Sequence, residues 1–172
     1  MSWIILSLAG IMLIDSPPDT CRSPMTQQAA AMLLYGSDDE KPVAFYAMKS
    51  AAESGDVTAM ANLAAMYARG DGTPRDVGLA HRWYVAAAES GSAHATGVLG
   101  RLLFAAAKER LGRSTGLAMI ELAAEAGDPV SLSWTREHAA ESRDARLVEV
   151  AKSIWLERRP RPALILPNRG PC

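Results

Sequence analysis

The chain has 172 residues, which is the size of a single domain. Hydrophobic residues make up 49% of it but aromatic residues only 6%, so much of the apolar content is alanine, which favours closely packed helices over a sheet. The formal net charge of −1 gives no support for nucleic-acid binding, and we expect no nucleic-acid partner.

Residues 1–25 consist of an apolar segment, residues 1–14, and a linker. The segment carries no charged side chain, but it is shorter than the roughly 20 apolar residues of a spanning helix, so we expect no transmembrane span. It resembles the core of a secretory signal, although no Lys or Arg precedes it and no small-x-small cleavage site follows it. Three interpretations stay open: an export signal, a hydrophobic cap on the first repeat, or a translation start at Met25. We favour a periplasmic or secreted location, with the cytoplasm as the alternative.

A six-residue phrase then returns at a fixed interval. It stands at residues 51–56 (AAESGD), 87–92 (AAESGS) and 123–128 (AAEAGD), so that successive copies are 36 residues apart. Periods of 20–50 residues are typical of solenoids. The alanines allow close helix packing, the glycine can end a helix with positive φ, and the last residue is a good N-cap. Each phrase therefore predicts a helix end, a tight turn and a new helix; in particular, we expect positive φ at Gly91.

Residues 26–91 are predicted to form two helix pairs. In the first unit, Gln27–Leu34 is the first helix, and Ser37–Glu40 has capping-box chemistry before the second. In the second unit, Gly70–Gly72 ends the first helix, and Thr73–Asp76 is expected to cap the second. Helical spacing places two sets of side chains on packed faces: Ala59, Asn62, Leu63, Met66 and Tyr67 on the first helix, and Ala80, Trp83, Tyr84, Ala87 and Ala88 on the second.

Residues 92–158 hold a third unit and a shortened fourth. The turn inside the third unit is predicted at Gly112–Ser114. The fourth unit is predicted to consist of two helices, residues 129–140 and residues 144–158. Residues 159–172 contain four prolines, which favour an extended tail. Cys21 and Cys172 flank the repeats. We expect free thiols in the cytoplasm; in an exported protein a bridge between them is the less favoured alternative.

The residue order of the second unit, A…L…Y..G.G…D…A..W…AA..G, resembles the Sel-one-like repeat (SLR) family. The match is dense in residues 56–91 and extends loosely over residues 26–157, within a predicted solenoid domain of residues 26–158. It implies an all-α fold, a right-handed α-α superhelix or solenoid of about three to four SLR helix pairs, with about eight helices. In a cysteine-rich subgroup of this family, each repeat contains a disulfide-bridged pair of cysteines. Weak hydrolysis of antibiotics has been attributed to that subgroup. This repeat block has no cysteine, so neither property is carried over.

In related repeats, the first helix of each unit lines a concave groove in which partners bind. The resemblance therefore implies a protein-protein interaction or adaptor module with a protein or peptide partner. Counting from each turn glycine, the fifth and tenth positions fall away from the packed face, and Arg101 is the best anchor because arginine is favoured at interfaces. The candidate partner-binding residues are Met60, Ala65, Thr96, Arg101, Leu132 and Glu137.

Catalytic signals are weak in this sequence. His81, His94 and His138 share no zinc-like spacing, and the glutamates that recur at the repeat period belong to the turn phrase. We therefore predict a monomer that is not an enzyme, without catalytic, cofactor-binding or metal-binding residues. The alternatives are a hydrolase-like enzyme acting on cell-wall or antibiotic substrates, and a structural accessory subunit of an envelope complex.

Overall fold

The computed structural model describes residues 24–138 and 145–158, which form eight α-helices and no strand. A single 3-10 turn, Asp38–Glu40, precedes the second helix. The predictions for residues 1–23, for the tail and for both cysteines lie outside the described residues. The helices are α1 (Pro24–Tyr35), α2 (Lys41–Glu53), α3 (Val57–Arg69), α4 (Val77–Glu89), α5 (Ala93–Ala106), α6 (Arg110–Glu125), α7 (Pro129–Glu137) and α8 (Ala145–Arg158).

The helices stack in pairs along the chain. Within the first three pairs, α1 packs on α2, α3 on α4 and α5 on α6. Each later first helix also packs on the second helix of the preceding pair, so that α3 contacts α2, α5 contacts α4 and α7 contacts α6. A pair cannot bury its apolar face alone, and stacking buries it against the neighbours. The prediction of an all-α solenoid with eight helices is confirmed.

The turn phrase folds in the same way at each copy. Gly55, Gly91 and Gly127 have φ of 95°, 106° and 89°, which confirms the positive φ expected at Gly91. Around Gly55, the Asp56 N–H donates to the Ala51 carbonyl at 3.0 Å and the Gly55 N–H donates to the Ala52 carbonyl at 3.0 Å. These two bonds form a Schellman motif, which satisfies carbonyls that the helix end leaves without partners. The phrase is therefore a complete local structure that ends one helix and caps the next.

Alanine dominates the buried core between the helices. One cluster, around Met48, Leu63 and Met66, joins α2 to α3, and a second, around Tyr84 and Leu99, joins α4 to α5. Glycines lie in the α5–α6 contact, where a Cβ on Gly100 would lie 2.9 Å from the Cβ of Met119. Small side chains therefore bring these helices together, as the composition predicts.

Two helices begin at positions other than those predicted. α1 begins at Pro24 instead of Gln27, because proline fits the first turn of a helix, where its missing N–H is not needed. The cap of α4 is Asp76, whose Oδ1 accepts a hydrogen bond from the Leu79 N–H at 2.8 Å, so Thr73 does not cap this helix. An aspartate directly before the helix reaches that N–H, whereas Thr73 lies three residues too early.

The third and fourth units also differ from the prediction. Gly112–Ser114 lie inside α6, which begins at Arg110. A Cβ on Gly112 would lie 2.8 Å from the Cβ of Ala107, so this glycine permits a close approach and does not form the turn. α7 ends at Glu137, three residues before the predicted end, and residues 139–144 lie outside the described part.

An ion-pair cluster fastens α8 to α6. The Lys152 Nζ lies 2.8 Å from Glu121, 2.9 Å from Glu125 and 3.3 Å from Glu149. The Lys152 side chain is mostly buried, and burial alone would lower its pKa, but the glutamates raise the pKa above its ordinary value. Lys152 therefore stays charged and holds the last described helix in place.

Candidate partner-binding face

The first helices α3, α5 and α7 start at equivalent residues of the turn phrase. The side chain of Asp56 accepts a hydrogen bond from the Ala59 N–H at 2.9 Å. Ser92 and Asp128 make the same bond to the N–H three residues ahead, at 3.2 Å and 2.8 Å. Because each helix begins at the same point of the repeat, residues 36 apart occupy equivalent positions.

One stripe on these helices is left partly open to solvent, and we call it the first-helix face. Its members recur at the repeat period, and all are half-buried except the last, which is exposed. The first-helix face consists of Asn62, Ala65, Val98, Arg101, Trp134 and Glu137.

The six candidate residues fall into two groups. The tenth-position residues, Ala65, Arg101 and Glu137, lie on the first-helix face. The fifth-position residues do not share one environment. Met60 is half-buried and packs against both the α2–α3 and the α4–α5 clusters.

The other two fifth-position residues differ again. Thr96 is only 7% exposed, and its Oγ1 donates to the Ser92 carbonyl at 2.9 Å. Leu132 is exposed and lines a cavity between α6 and α7. Partner binding by any of the six candidate residues stays a prediction.

Arg101 links two neighbouring repeats. Its guanidinium donates to the Ser131 Oγ at 3.2 Å and lies 4.0 Å from the Asp128 carboxylate. Its side chain is mostly buried, and the contact joins α5 to α7. An arginine has five N–H donors, so this contact leaves donors for a partner at the open side of the face.

The Asp128 carboxylate is the centre of this cluster and is almost completely buried. Oδ2 accepts hydrogen bonds from the Ser131 N–H at 2.8 Å and the Ser131 Oγ at 2.6 Å, while Oδ1 lies 3.2 Å from the His94 Nδ1. Burial alone would raise the pKa of Asp128, but the hydrogen bonds from Ser131 and His94 hold the pKa below its usual range. The carboxylate is therefore ionised at neutral pH and orders the junction between α5 and α7.

A similar contact joins the first two repeats. The Thr26 Oγ1 donates to the Asp56 Oδ2 at 2.7 Å, which links α1 to the cap of α3. Thr26 and His94 occupy equivalent repeat positions once the four residues missing from the first unit are counted. We call such a link, from an early residue of one first helix to the cap carboxylate of the next, a junction contact. The sequence analysis predicted Asp56 and Asp128 as helix caps and did not predict the junction contacts. The signal that could have indicated them is the polar residue, Thr26 or His94, at the equivalent early position of the preceding first helix.

The charges of two arginines act on the buried side chain of Tyr84. Burial raises the pKa of Tyr84, and the charges of Arg69 and Arg101 oppose this rise. Arg69 also forms an ion pair with Asp71 at 2.5 Å. Arg69 and Arg101 thus each have an acidic partner within the protein.

Aromatic side chains continue the first-helix face at α7. Trp134 packs edge-on against Phe104, with ring centroids 5.2 Å apart, and stacks on His138 at 4.0 Å. Arg113 lies 4.1 Å above the Phe104 ring. Beside Trp134, a cavity of about 400 Å³ opens between α6 and α7, with apolar side chains and Glu121 in its lining.

Ser131, His94 and Asp128 are the residue types of a hydrolytic triad, but they are connected differently. In a triad the serine donates to the histidine, whereas here the Ser131 Oγ donates to Asp128. Ser131 is 0% exposed and also accepts a hydrogen bond from Arg101. This arrangement caps α7 and fastens it to α5.

Comparison with known proteins agrees with this architecture. Residues 57–92 match the family model of the Sel1 repeat. The chain carries a Sel1 repeat. No curated protein matches the chain. Sel1 repeats are commonly protein-interaction modules, and Sel1-like solenoids are typically non-enzymatic scaffolds.

Two solved structures share the fold. One is an SLR-fold protective antigen present in uropathogenic Escherichia coli strains, with a TM-score of 0.66 and 20% identity over 78% of this chain and 30% of the antigen. The other is a Sel1 repeat protein from Oxalobacter formigenes, with a TM-score of 0.58 and 21% identity over 77% of this chain and 55% of that protein. This Sel1-like chain therefore spans about half or less of its structural neighbours, and the likeness shows the fold.

The described helices bear on membrane crossing and on metal binding. Within residues 24–138 and 145–158, no helix has the length and apolar character needed to cross a bilayer. The same residues contain no group of three or more His, Cys, Asp or Glu side chains close enough to hold a metal ion.

Proposed function

We propose that this Sel1-like solenoid is a non-enzymatic interaction module that binds a protein or peptide along its first-helix face. The observation that carries the proposal is the face itself. Asn62, Val98 and Trp134 are half-buried at equivalent positions of three successive repeats, and the core does not fully cover them. A partner that lies across the repeats would contact each in turn.

The residues of the face suit recognition of a polypeptide. It combines an aromatic ring, aliphatic surface, an amide and a guanidinium, and aromatic residues and arginine are enriched at protein interfaces. Arg101 is held by Ser131 and Asp128, so less side-chain entropy is lost when a partner binds. The tenth-position candidates therefore belong to the proposed site, with Arg101 as its anchor.

The polar cluster supports a scaffold more than a hydrolase. A serine nucleophile needs an adjacent general base and access to substrate. Ser131 bonds to the Asp128 carboxylate and has no exposed surface. The cluster has a structural task, which is to join repeats.

The experiment places a photo-crosslinking amino acid at Glu137, which is exposed on the first-helix face. The matched control places it at Arg82, which is exposed on α4. The full chain is produced in its own host cells, irradiated and analysed by mass spectrometry. We expect one predominant protein adduct at position 137 and none of that adduct at position 82.

A substitution on the face provides the second arm. Ala65→Glu should abolish the adduct at position 137 because a charged side chain blocks the same face, while Val77→Glu, an exposed change on α4, should preserve it. The melting temperatures of both variants are compared with that of the parent chain. An adduct that forms equally at position 82, or that survives Ala65→Glu, would contradict the proposal.

A further inference from the structure

The fourth unit differs from the two before it in how its first helix is covered. In the second unit, Leu63 of α3 lies in one buried cluster with Ala80 of α4. In the third unit, Leu99 of α5 lies in one buried cluster with Met119 of α6. Among the described helices, however, the main contacts of α8 are with α6 and not with α7. α7 therefore lacks the full cover that the second helix of a pair provides.

Two residues of α7 show the consequence. Thr135, 36 positions after Leu99, is half-buried, whereas Leu99 and its equivalent Leu63 are 8% and 0% exposed. Leu132 is 37% exposed, whereas its equivalent Thr96 is 7% exposed. Both α7 residues line the cavity of about 400 Å³ between α6 and α7. Incomplete cover thus leaves a cavity whose volume lies within the range of about 300–1,000 Å³ that is typical of small-ligand sites.

The polar groups in the lining of this cavity are hydrogen-bond acceptors. Glu121 and Glu125 contribute carboxylates. The Thr135 Oγ1 donates to the carbonyl three residues earlier at 3.0 Å, and the His138 Nδ1 donates to the carbonyl four residues earlier at 2.9 Å. In the neutral imidazole the other ring nitrogen is then an acceptor. The lining residues that the structure describes include no Lys or Arg, so the cavity suits a ligand that donates hydrogen bonds.

Negative charge exceeds positive charge beside the cavity. Three glutamates surround the single ammonium group of Lys152, so this cluster has two more negative charges than positive ones. Two of the three, Glu121 and Glu125, line the cavity, whereas Glu149 does not. The remaining lining is largely apolar and includes Leu117, Ala124, Leu132 and Trp134. A matching ligand would combine a positive charge with an apolar body.

We propose that the cavity between α6 and α7 binds an organic cation with an ammonium group at the end of a short aliphatic chain. The chain lies against the apolar lining, and the ammonium group pairs with Glu125, the more exposed of the two lining carboxylates. A free alkylamine and the lysine side chain of another polypeptide share this chemistry. The inference does not depend on partner binding along the first-helix face.

The test follows the indole N–H signal of Trp134 in nitrogen–proton NMR spectra of the full chain at neutral pH. The chain has four tryptophans, and the spectrum of Trp134→Phe identifies this signal. The probe is hexylammonium chloride, and sodium hexanoate, with the same number of carbons and the opposite charge, is its control. We expect a saturable shift with hexylammonium and none with hexanoate. Equal shifts with both, or no shift with hexylammonium, would overturn the proposal.

Two glutamate variants separate the cavity from the ion pairs of Lys152. Glu125→Gln removes a carboxylate from the lining and should weaken hexylammonium binding about threefold to fivefold, the usual effect of an exposed ion pair. Glu149→Gln is the matched control, because Glu149 also pairs with Lys152 and is similarly exposed but does not line the cavity. It should change the affinity by less than about twofold. Equal weakening by both variants would assign the effect to α8 and overturn the proposal.

A second pair of variants tests whether the probe lies inside the cavity. Leu132→Trp places a large ring in the lining and should remove the saturable shift. Val130→Trp is its control, since Val130 is 47% exposed on the same helix and does not line the cavity. The melting temperatures of both variants are compared with that of the parent chain. Undiminished binding to a folded Leu132→Trp chain would place the probe elsewhere and contradict the inference.

A further probe distinguishes the two sources of the ammonium group. It is a blocked tripeptide, acetyl-Gly-Lys-Gly-amide, which carries the lysine side chain without free termini. Tighter binding of hexylammonium than of the tripeptide would identify a site for a free amine, and the reverse order would identify a site for a lysine side chain. If neither probe binds, the cavity is not a cation site and the proposal fails.

Discussion

The turn phrase places two of its residues under different physical constraints. Gly91 has φ of 106°, a region that a β-branched residue reaches only with strain. Asp128, the last residue of the third phrase, is constrained by burial and by its three hydrogen-bond contacts. Backbone conformation therefore favours glycine at position 91, and side-chain electrostatics favours aspartate at position 128.

Replacement of Gly91 tests the backbone constraint. Gly91→Val should lower the free energy of unfolding by about 1–3 kcal/mol because valine is forced into a left-handed conformation. Ser90→Ala is the control, since Ser90 has φ of −79° and tolerates any L-residue. Urea denaturation of both variants measures the effect, and equal midpoints would show that the turn does not require glycine.

The pH dependence of stability tests the constraint on Asp128. Its pKa is lower in the folded protein, so its contribution is complete above the ordinary pKa of about 4 and is lost as pH falls through the lowered value. Asp128→Asn should cost about 1–3 kcal/mol at pH 7. His94 and Arg101 face this carboxylate from α5 and lose the charged acceptor.

Thermal unfolding of the parent chain and of Asp128→Asn between pH 7 and pH 3 measures this contribution. The difference in melting temperature should persist to about pH 5 and shrink below about pH 4. Asp39→Asn, at an exposed position, serves as the control. A difference that stays constant down to pH 3 would show that ionisation of Asp128 does not stabilise the fold.

At the scale of whole helices, the junctions between repeats are not equivalent. The first and third have junction contacts, Thr26 to Asp56 and His94 to Asp128. The middle junction has Ser92 at the cap, and its single hydroxyl oxygen already accepts the Ala95 N–H. The cap of α5 therefore has no second oxygen that could accept a junction contact from α3.

Ser92→Asp should strengthen the middle junction. Aspartate caps a helix as well as serine does, and its second oxygen can accept a hydrogen bond from Thr58, the equivalent of Thr26. A gain of about 1 kcal/mol should raise the melting temperature by about 2–4 °C. Addition of Thr58→Val should remove the gain. An undiminished gain would mean that the stabilisation arises at the cap alone.

Within residues 24–138 and 145–158, the main helix contacts join helices that are one or two positions apart in chain order. The stability of such a solenoid is close to a sum of repeat and interface terms, so its ends open more easily than its middle. α7 and α8 both pack on α6, and α8 depends on the ion pairs of Lys152 for part of its attachment. Local unfolding should therefore start at this end.

Hydrogen exchange tests this order of opening. Backbone amides of α7 and α8 should exchange about tenfold or more faster than those in the middle of α3–α6. Lys152→Ala should accelerate exchange in α8 and leave α3 unchanged, because the lysine joins only α6 and α8. Equal acceleration in all helices would indicate that the molecule opens as one unit.

Much of the fold could be predicted from the sequence because the turn phrase acts locally. Its Schellman bonds and caps join residues no more than five positions apart, so Ala51–Asp56 and its copies predict helix ends and starts wherever they occur. The helix count and most of the packed faces of α3 and α4 followed from these turns and from the 3.6-residue period. Asn62 is the exception on α3, because it was predicted on the packed face and lies half-buried on the first-helix face. The start of α6 was not predicted correctly, because a glycine such as Gly112 is typical of a turn. The structure shows that Gly112 instead allows a close approach to Ala107.

The candidate face was predictable only in part. The sequence by itself determined the repeat period and therefore which positions are equivalent, including Ala65, Arg101 and Glu137. Tertiary structure decided that Thr96 is buried while Arg101 remains half-open, and it joined Arg101 to Ser131, 30 positions away. The physical reason is that a helix has one period but several neighbours. The side on which a residue lies is set locally, whereas its burial is set by whichever helix of the next repeat packs against that side.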